Sequence, residues 1–86
     1  MNIIELIAIV KKKLHKNINI ENIKIEDKSF LHKKHSQNVV GKYHLKITIN
    51  SNELKQMSRI NSNKRIYKAL DHEIKNFIHS LQILIN

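Results

Sequence analysis

The chain has 86 residues, no cysteine, no proline and a formal charge of +9 at neutral pH. At this length one domain spanning 1–86 is expected, burying only about 60–65% of the surface its unfolded chain would expose. Without thiols the chain has no disulfide framework and no all-thiolate metal site, so any metal it held alone would need histidine or carboxylate ligands.

The opening Met1-Asn2-Ile3-Ile4-Glu5 lacks a basic leader region, and the apolar run from Ile3 to Val10 is too short to cross a bilayer. A soluble cytoplasmic protein is therefore expected. Residues 2–16 read as a helix, because Ile3, Ile7, Val10 and Leu14 recur at helical spacing. Lys11, Lys12, Lys13 and Lys16 crowd its last turns, where cations favour the helix dipole. Ile18 to Ile25 reads as a strand, with Ile23 and Ile25 alternating with polar residues. Residues 28–41 form a polar loop that is expected to be mobile when free and ordered by a partner.

Tyr43, Leu45, Ile47 and Ile49 then alternate with His44, Lys46, Thr48 and Asn50, the clearest strand pattern in the chain. The alternation places His44 and Lys46 opposite the apolar face. Asn50 or Ser51 is suited to cap a short helical turn running to Met57, and Asn61 or Ser62 to cap the next helix. There Ile66, Tyr67, Leu70, Ile74 and Phe77 make one apolar stripe, with Lys64, Arg65, Lys68 and Lys75 outside it. Ile78 to Ile85 carries apolar residues on both parities, which predicts a strand covered on both faces. The order is α-β-β-α-α-β, an α+β layer with helices on one face of a three-stranded sheet.

Site chemistry falls to six histidines. His15 and His72 carry nothing beyond a surface role. His32 and His35 sit close together on the polar loop, a weak metal signal without a helix to align them. His79 stands at the join between the last helix and the last strand, where local hydrogen bonding and metal ligation are equally good readings. No P-loop, nucleophile elbow or HExxH motif is present, so no catalytic centre is expected. The single glycine, Gly41, excludes a GxxG loop and with it RNA binding in the KH manner.

Taken in order, Asp27-Lys28-Ser29-Phe30-Leu31-His32, His44-Leu45-Lys46-Ile47, Ile66-Tyr67-Lys68-Ala69-Leu70 and Ile78-His79-Ser80-Leu81 resemble the BolA family over roughly residues 20 to 85. The resemblance implies a fold similar to the class II KH domain. It also implies a non-enzymatic adaptor that pairs with a monothiol glutaredoxin and shares a [2Fe–2S] cluster, with glutathione supplied through that partner. His79 matches the family's cluster-binding histidine. The second ligand from this side would be His32 or His35, and His44 is a further ligand or a group supporting one. A cysteine-free chain suits that division, because two imidazoles on one iron complement thiolates supplied from elsewhere. One departure stands out: where the family shows Arg-His-Arg before the Ile-Tyr pair, this chain has Ser62-Asn63-Lys64. Any docking or DNA contact that depends on that motif is not carried over.

The alternative is a DNA-binding transcriptional regulator, a role also associated with the family. It would use Lys64, Arg65 and Lys68, with Lys33-Lys34 nearby. Richness in lysine, isoleucine and asparagine is also what AT-rich coding produces, so the charge has a compositional source as well. With only Arg59 and Arg65 for bidentate guanine readout, sequence-specific recognition is weakly equipped.

Overall fold

The computed structural model describes residues 1–29 and 42–86. The first helix, α1, spans Ile3–Asn17, with Asn2 at its N-cap accepting from the Glu5 amide at 2.8 Å. Leu6, Val10 and Leu14, one turn apart, are fully buried. Leu6 therefore takes the core position expected of Ile3 and Ile7, which are half-buried. The helix stops where Ile18 turns extended and returns its amide to the Leu14 carbonyl.

Ile18 thus belongs to the helix terminus and the core, and strand β1 begins later than its sequence suggests, at Asn22–Asp27. Strand β2 is Tyr43–Asn50 and β3 is Ile78–Ile85. The sheet order is β1-β2-β3, with β1 antiparallel and β2 parallel to their respective neighbours β2 and β3. Between the second and third strands lie α2 (Asn52–Lys55), α3 (Arg59–Ala69) and α4 (Asp71–Asn76).

One cap is an expected one and the other differs. Ser51 caps α2, and its hydroxyl also donates to the Asn19 carbonyl at 2.7 Å, tying the helix to the turn before β1. Ser58 caps α3 by accepting from the Asn61 amide at 3.1 Å. Ser62 instead lies inside that helix, buried, with its hydroxyl turned back to the Arg59 carbonyl. The long stripe predicted from Ile66 to Phe77 is broken at Leu70, whose ψ of 17° ends α3 and starts α4. Ile66 and Leu70 are buried in the core, while Tyr67 is exposed.

One face of the sheet carries the core. Leu45, Ile47 and Ile49 of β2 join Leu6, Val10, Leu14, Leu54, Ile66 and Leu70 in a single cluster. β3 is an edge strand with one covered face, not two: Leu81, Ile83 and Ile85 are half-buried, and Leu84 is exposed. Among the described residues no helix is long and apolar enough to cross a membrane.

Candidate metal-binding site at the head of the parallel strands

β2 and β3 run parallel, so both begin at the same end of the sheet, and each begins with a histidine close behind. The register there is irregular. Tyr43 lies opposite Ile78 and His44 opposite Ser80, so β3 spends one extra residue, His79, where β2 spends none. Bulges of this kind re-aim a side chain. Ile78 stays in the core, and His79 is exposed next to His44. The two imidazoles meet edge to face with centroids 4.9 Å apart and planes at 66°. Two imidazoles binding one metal ion at about 2.1 Å through nitrogen place their rings on the order of 5 Å apart.

His44 is held from several directions. Its Nδ1 lies 2.6 Å from the Ser80 hydroxyl oxygen. Its amide donates to the Ser29 hydroxyl at 3.1 Å, and its carbonyl accepts from the Lys28 amide at 2.7 Å. Ser29 is itself fixed by the Asp27 carboxylate, which accepts from the Ser29 amide at 2.9 Å. This Asx-type turn gives the Asp27-x-Ser29 spacing a physical purpose, because it ties the end of β1 to the head of β2. The alternation placed His44 opposite the apolar face; it is nonetheless only 7% exposed. Ser80 and the Asp27–Ser29 turn were missed as supports of His44, although the turn had a readable signal in its spacing.

A carboxylate flanks the site on the neighbouring strand. Glu26 pairs across the sheet with Lys46 and lies 2.9 Å from Lys28 Nζ. The Lys28 hydrogen bond holds its carboxyl below the ordinary value; desolvation opposes this, and the charges of Lys24, Lys28 and Lys46 add to it. No group of three or more metal-ligating side chains forms among the described residues. His32, His35, Lys33 and Lys34 lie outside the described residues, as does most of the loop expected to order on binding. Of the described residues that flank them in sequence, Ser29 bonds the His44 amide and Lys42 directly precedes β2. His72 packs its ring against Phe77 at 6.0 Å, and His15 is exposed at the end of α1, so neither joins the pair.

The residues expected to contact nucleic acid behave differently from one another. Lys64 and Lys68 are exposed on α3. Arg65 is committed: its Nη2 donates to the Asn17 carbonyl at 2.8 Å and lies 3.6 Å from the Glu53 carboxylate. It fastens α3 to the C-terminus of α1.

The family model for BolA-like proteins matches residues 14–86. No curated protein matches the sequence. Among solved structures, the chain is similar to the BolA domain of SufE1 from Arabidopsis thaliana, with a TM-score of 0.78, 23% identity and coverage of 100% of this chain and 93% of that one. It is similar to BolA1 from Arabidopsis thaliana, with a TM-score of 0.76, 23% identity and coverage of 92% and 87%. BolA1 from Mus musculus gives a TM-score of 0.71 at 21% identity, covering 90% of this chain and 60% of that one.

Proposed function

The chain belongs to the BolA-like family, and on that premise we propose that it is a non-enzymatic cytoplasmic adaptor that shares a [2Fe–2S] cluster with a monothiol glutaredoxin. The observation that carries this reading is the pairing of His44 and His79 at the bulge, 4.9 Å between ring centroids. Two converging imidazoles are half of a four-ligand set. The chain has no thiolate to supply the rest, so the remaining ligands would come from the partner's cysteine and glutathione. In such a mixed site the cluster supplies a reduction potential raised by imidazole in place of thiolate.

The chain's own residues divide the remaining work. The bulge presents His79 to the partner, and Ser80 fixes the ring orientation of His44 by engaging its other nitrogen, as metal-bound imidazoles generally require. His32 or His35 would take the second ligand position if His44 acts as the support. Imidazole ligates in its neutral form, so binding weakens in mild acid.

The test is to mix the purified chain with a cluster-loaded monothiol glutaredoxin and record visible absorption and circular dichroism. His79→Ala is expected to alter or abolish the mixed-cluster spectrum while the far-UV spectrum of the protein stays unchanged. A mixed-cluster spectrum unaffected by both His79→Ala and His44→Ala would overturn the reading. The rival reading, DNA binding through Lys64, Arg65 and Lys68, loses support from the engagement of Arg65 with Asn17 and Glu53.

A further inference from the structure

The far end of β3 carries a second feature that the histidines do not explain. Along an extended strand, the N–H and C=O of one residue point to one side and those of the next residue to the other. The Asn86 amide donates to the Ile49 carbonyl at 2.8 Å, so Asn86 faces β2. Leu84 and Gln82 share that parity. The backbone groups of Ile83 and Ile85 therefore point away from the sheet. They point toward a groove of about 430 Å³, walled by Leu54 and Met57 on one side and by Ile83 and Ile85 on the other. That volume is within the range of ligand clefts, about 300–1,000 Å³. Lys55 and Arg59, both exposed, line the same groove, and the first turn of α3 holds no acidic residue. Leu84 also borders the groove.

We propose that this groove receives an extended acidic segment of a partner protein, which adds a fourth strand along Ile83–Ile85. An open strand edge offers alternating donors and acceptors that only another peptide backbone matches in full. The apolar walls take alternate side chains of the incoming strand, and the basic pair meets its carboxylates. A second copy of this chain is a poor occupant, because it would bring a further +9 of charge to a basic rim. A nucleic acid strand would match the charge but not the edge, and among the described residues no aromatic ring lines the groove to stack on bases. The groove begins at Ile83, four residues along β3 from His79, roughly 13 Å at strand rise. A peptide here and a cluster at the histidines therefore do not compete, and the inference stands independently of the cluster reading.

The experiment titrates the full chain, labelled with nitrogen-15, with an end-blocked heptapeptide of alternating Glu and Val. Amide shifts are expected at Ile83, Leu84 and Ile85, with slowed hydrogen exchange at Ile83 and Ile85. The double reversal Lys55→Glu, Arg59→Glu, both on exposed side chains, should weaken binding by about tenfold or more. Peptide N-methylated on the edge-facing positions should fail to bind, and His79→Ala should leave binding unchanged. The proposal is overturned if the β3 amides stay unmoved at millimolar peptide, or if the N-methylated peptide binds as well as the parent. It is equally overturned if an oligothymidylate shifts Ile83–Ile85 and the peptide does not.

Discussion

The two faces of the sheet are built on different terms. On the covered face, Leu45, Ile47 and Ile49 meet three helices' worth of aliphatic side chains and are almost wholly removed from water. On the open face the same strand presents His44, Lys46 and Thr48, beside Ser80, Gln82 and Leu84 of β3. Alternation lets one strand serve both, because neighbouring residues answer to different surroundings. The difference teaches that stability and chemistry are separable here. The covered face can be kept intact while the open face is altered residue by residue.

The largest expected effect tests that separation directly. Ile47→Ala opens a cavity in the middle of the core and should cost about 2–5 kcal/mol. In a domain of this size that is a fall in Tm of roughly 10 °C or more. Gln82→Ala on the exposed face should stay within about 0.5 kcal/mol. Chemical denaturation of both variants measures the contrast, and comparable losses would break it.

Next in size is the ion pair between α1 and α4. Glu73 is buried, and its Oε2 lies 2.6 Å from Lys13 Nζ, while its Oε1 has no hydrogen-bond partner among the described residues. Lys13→Ala would strand a carboxylate in the core. Because the lysine side chain is 38% exposed, the loss is expected at about 1–3 kcal/mol, below that of a fully buried pair. Replacing both residues with apolar ones should recover much of it, which a double-mutant cycle would read.

Ser80→Ala should change stability by about 1 kcal/mol or less. Its signature lies in the His44 ring nitrogens, whose nitrogen-15 shifts should move toward a mixture of tautomers once the 2.6 Å contact is lost. Unchanged ring shifts would show that Ser80 does not orient His44.

The smallest effect is electrostatic. The carboxyl of Glu26 is held below its usual 4.5, first by the Lys28 hydrogen bond. A depressed carboxyl contributes stability that is present above the unfolded value and lost as pH falls through the folded one. Glu26→Gln should therefore leave a shallower loss of stability below pH 4.5 and little difference in slope near neutrality. The group is half-buried at the surface, and added salt should shrink the difference further.

Much of this architecture was legible in the residues. Strict alternation from Tyr43 to Asn50 marked the central strand to the residue, and the order of elements followed from periodicity, except that the last expected helix is split into α3 and α4. What escaped depended on partners distant in sequence. Ile18 looks like a strand residue, yet the core draws it into the helix terminus. Leu70 continues a helical stripe on paper, but its backbone leaves the helical region there, so the helix breaks at that residue. The apolar residues of both parities in β3 suggested burial on two faces, whereas only one face of the sheet carries the core and Leu84, on the other, is left in water. The histidine pair was half legible. His44 and His79 were both singled out, but only the bulge explains why residues 35 positions apart come within ring contact. Asp27, Ser29 and Ser80 support the pair through hydrogen bonds that no periodicity announces.

The parallel pairing of β2 with β3 has a consequence for how the chain acquires its shape. β1 and β2 pair as consecutive strands, but β3 reaches β2 only after residues 51–77 have been laid down as three helices. Closing so long a loop is paid in chain entropy before any contact rewards it. During synthesis the central strand must therefore wait with one edge unpaired until nearly the whole sequence has emerged. The histidine pair, which needs the heads of both strands, forms only when that last strand docks. Assembly of the site and completion of the sheet are then one kinetic event, and a chain caught short of it would present β2's bare edge to its neighbours instead of an imidazole pair to a metal.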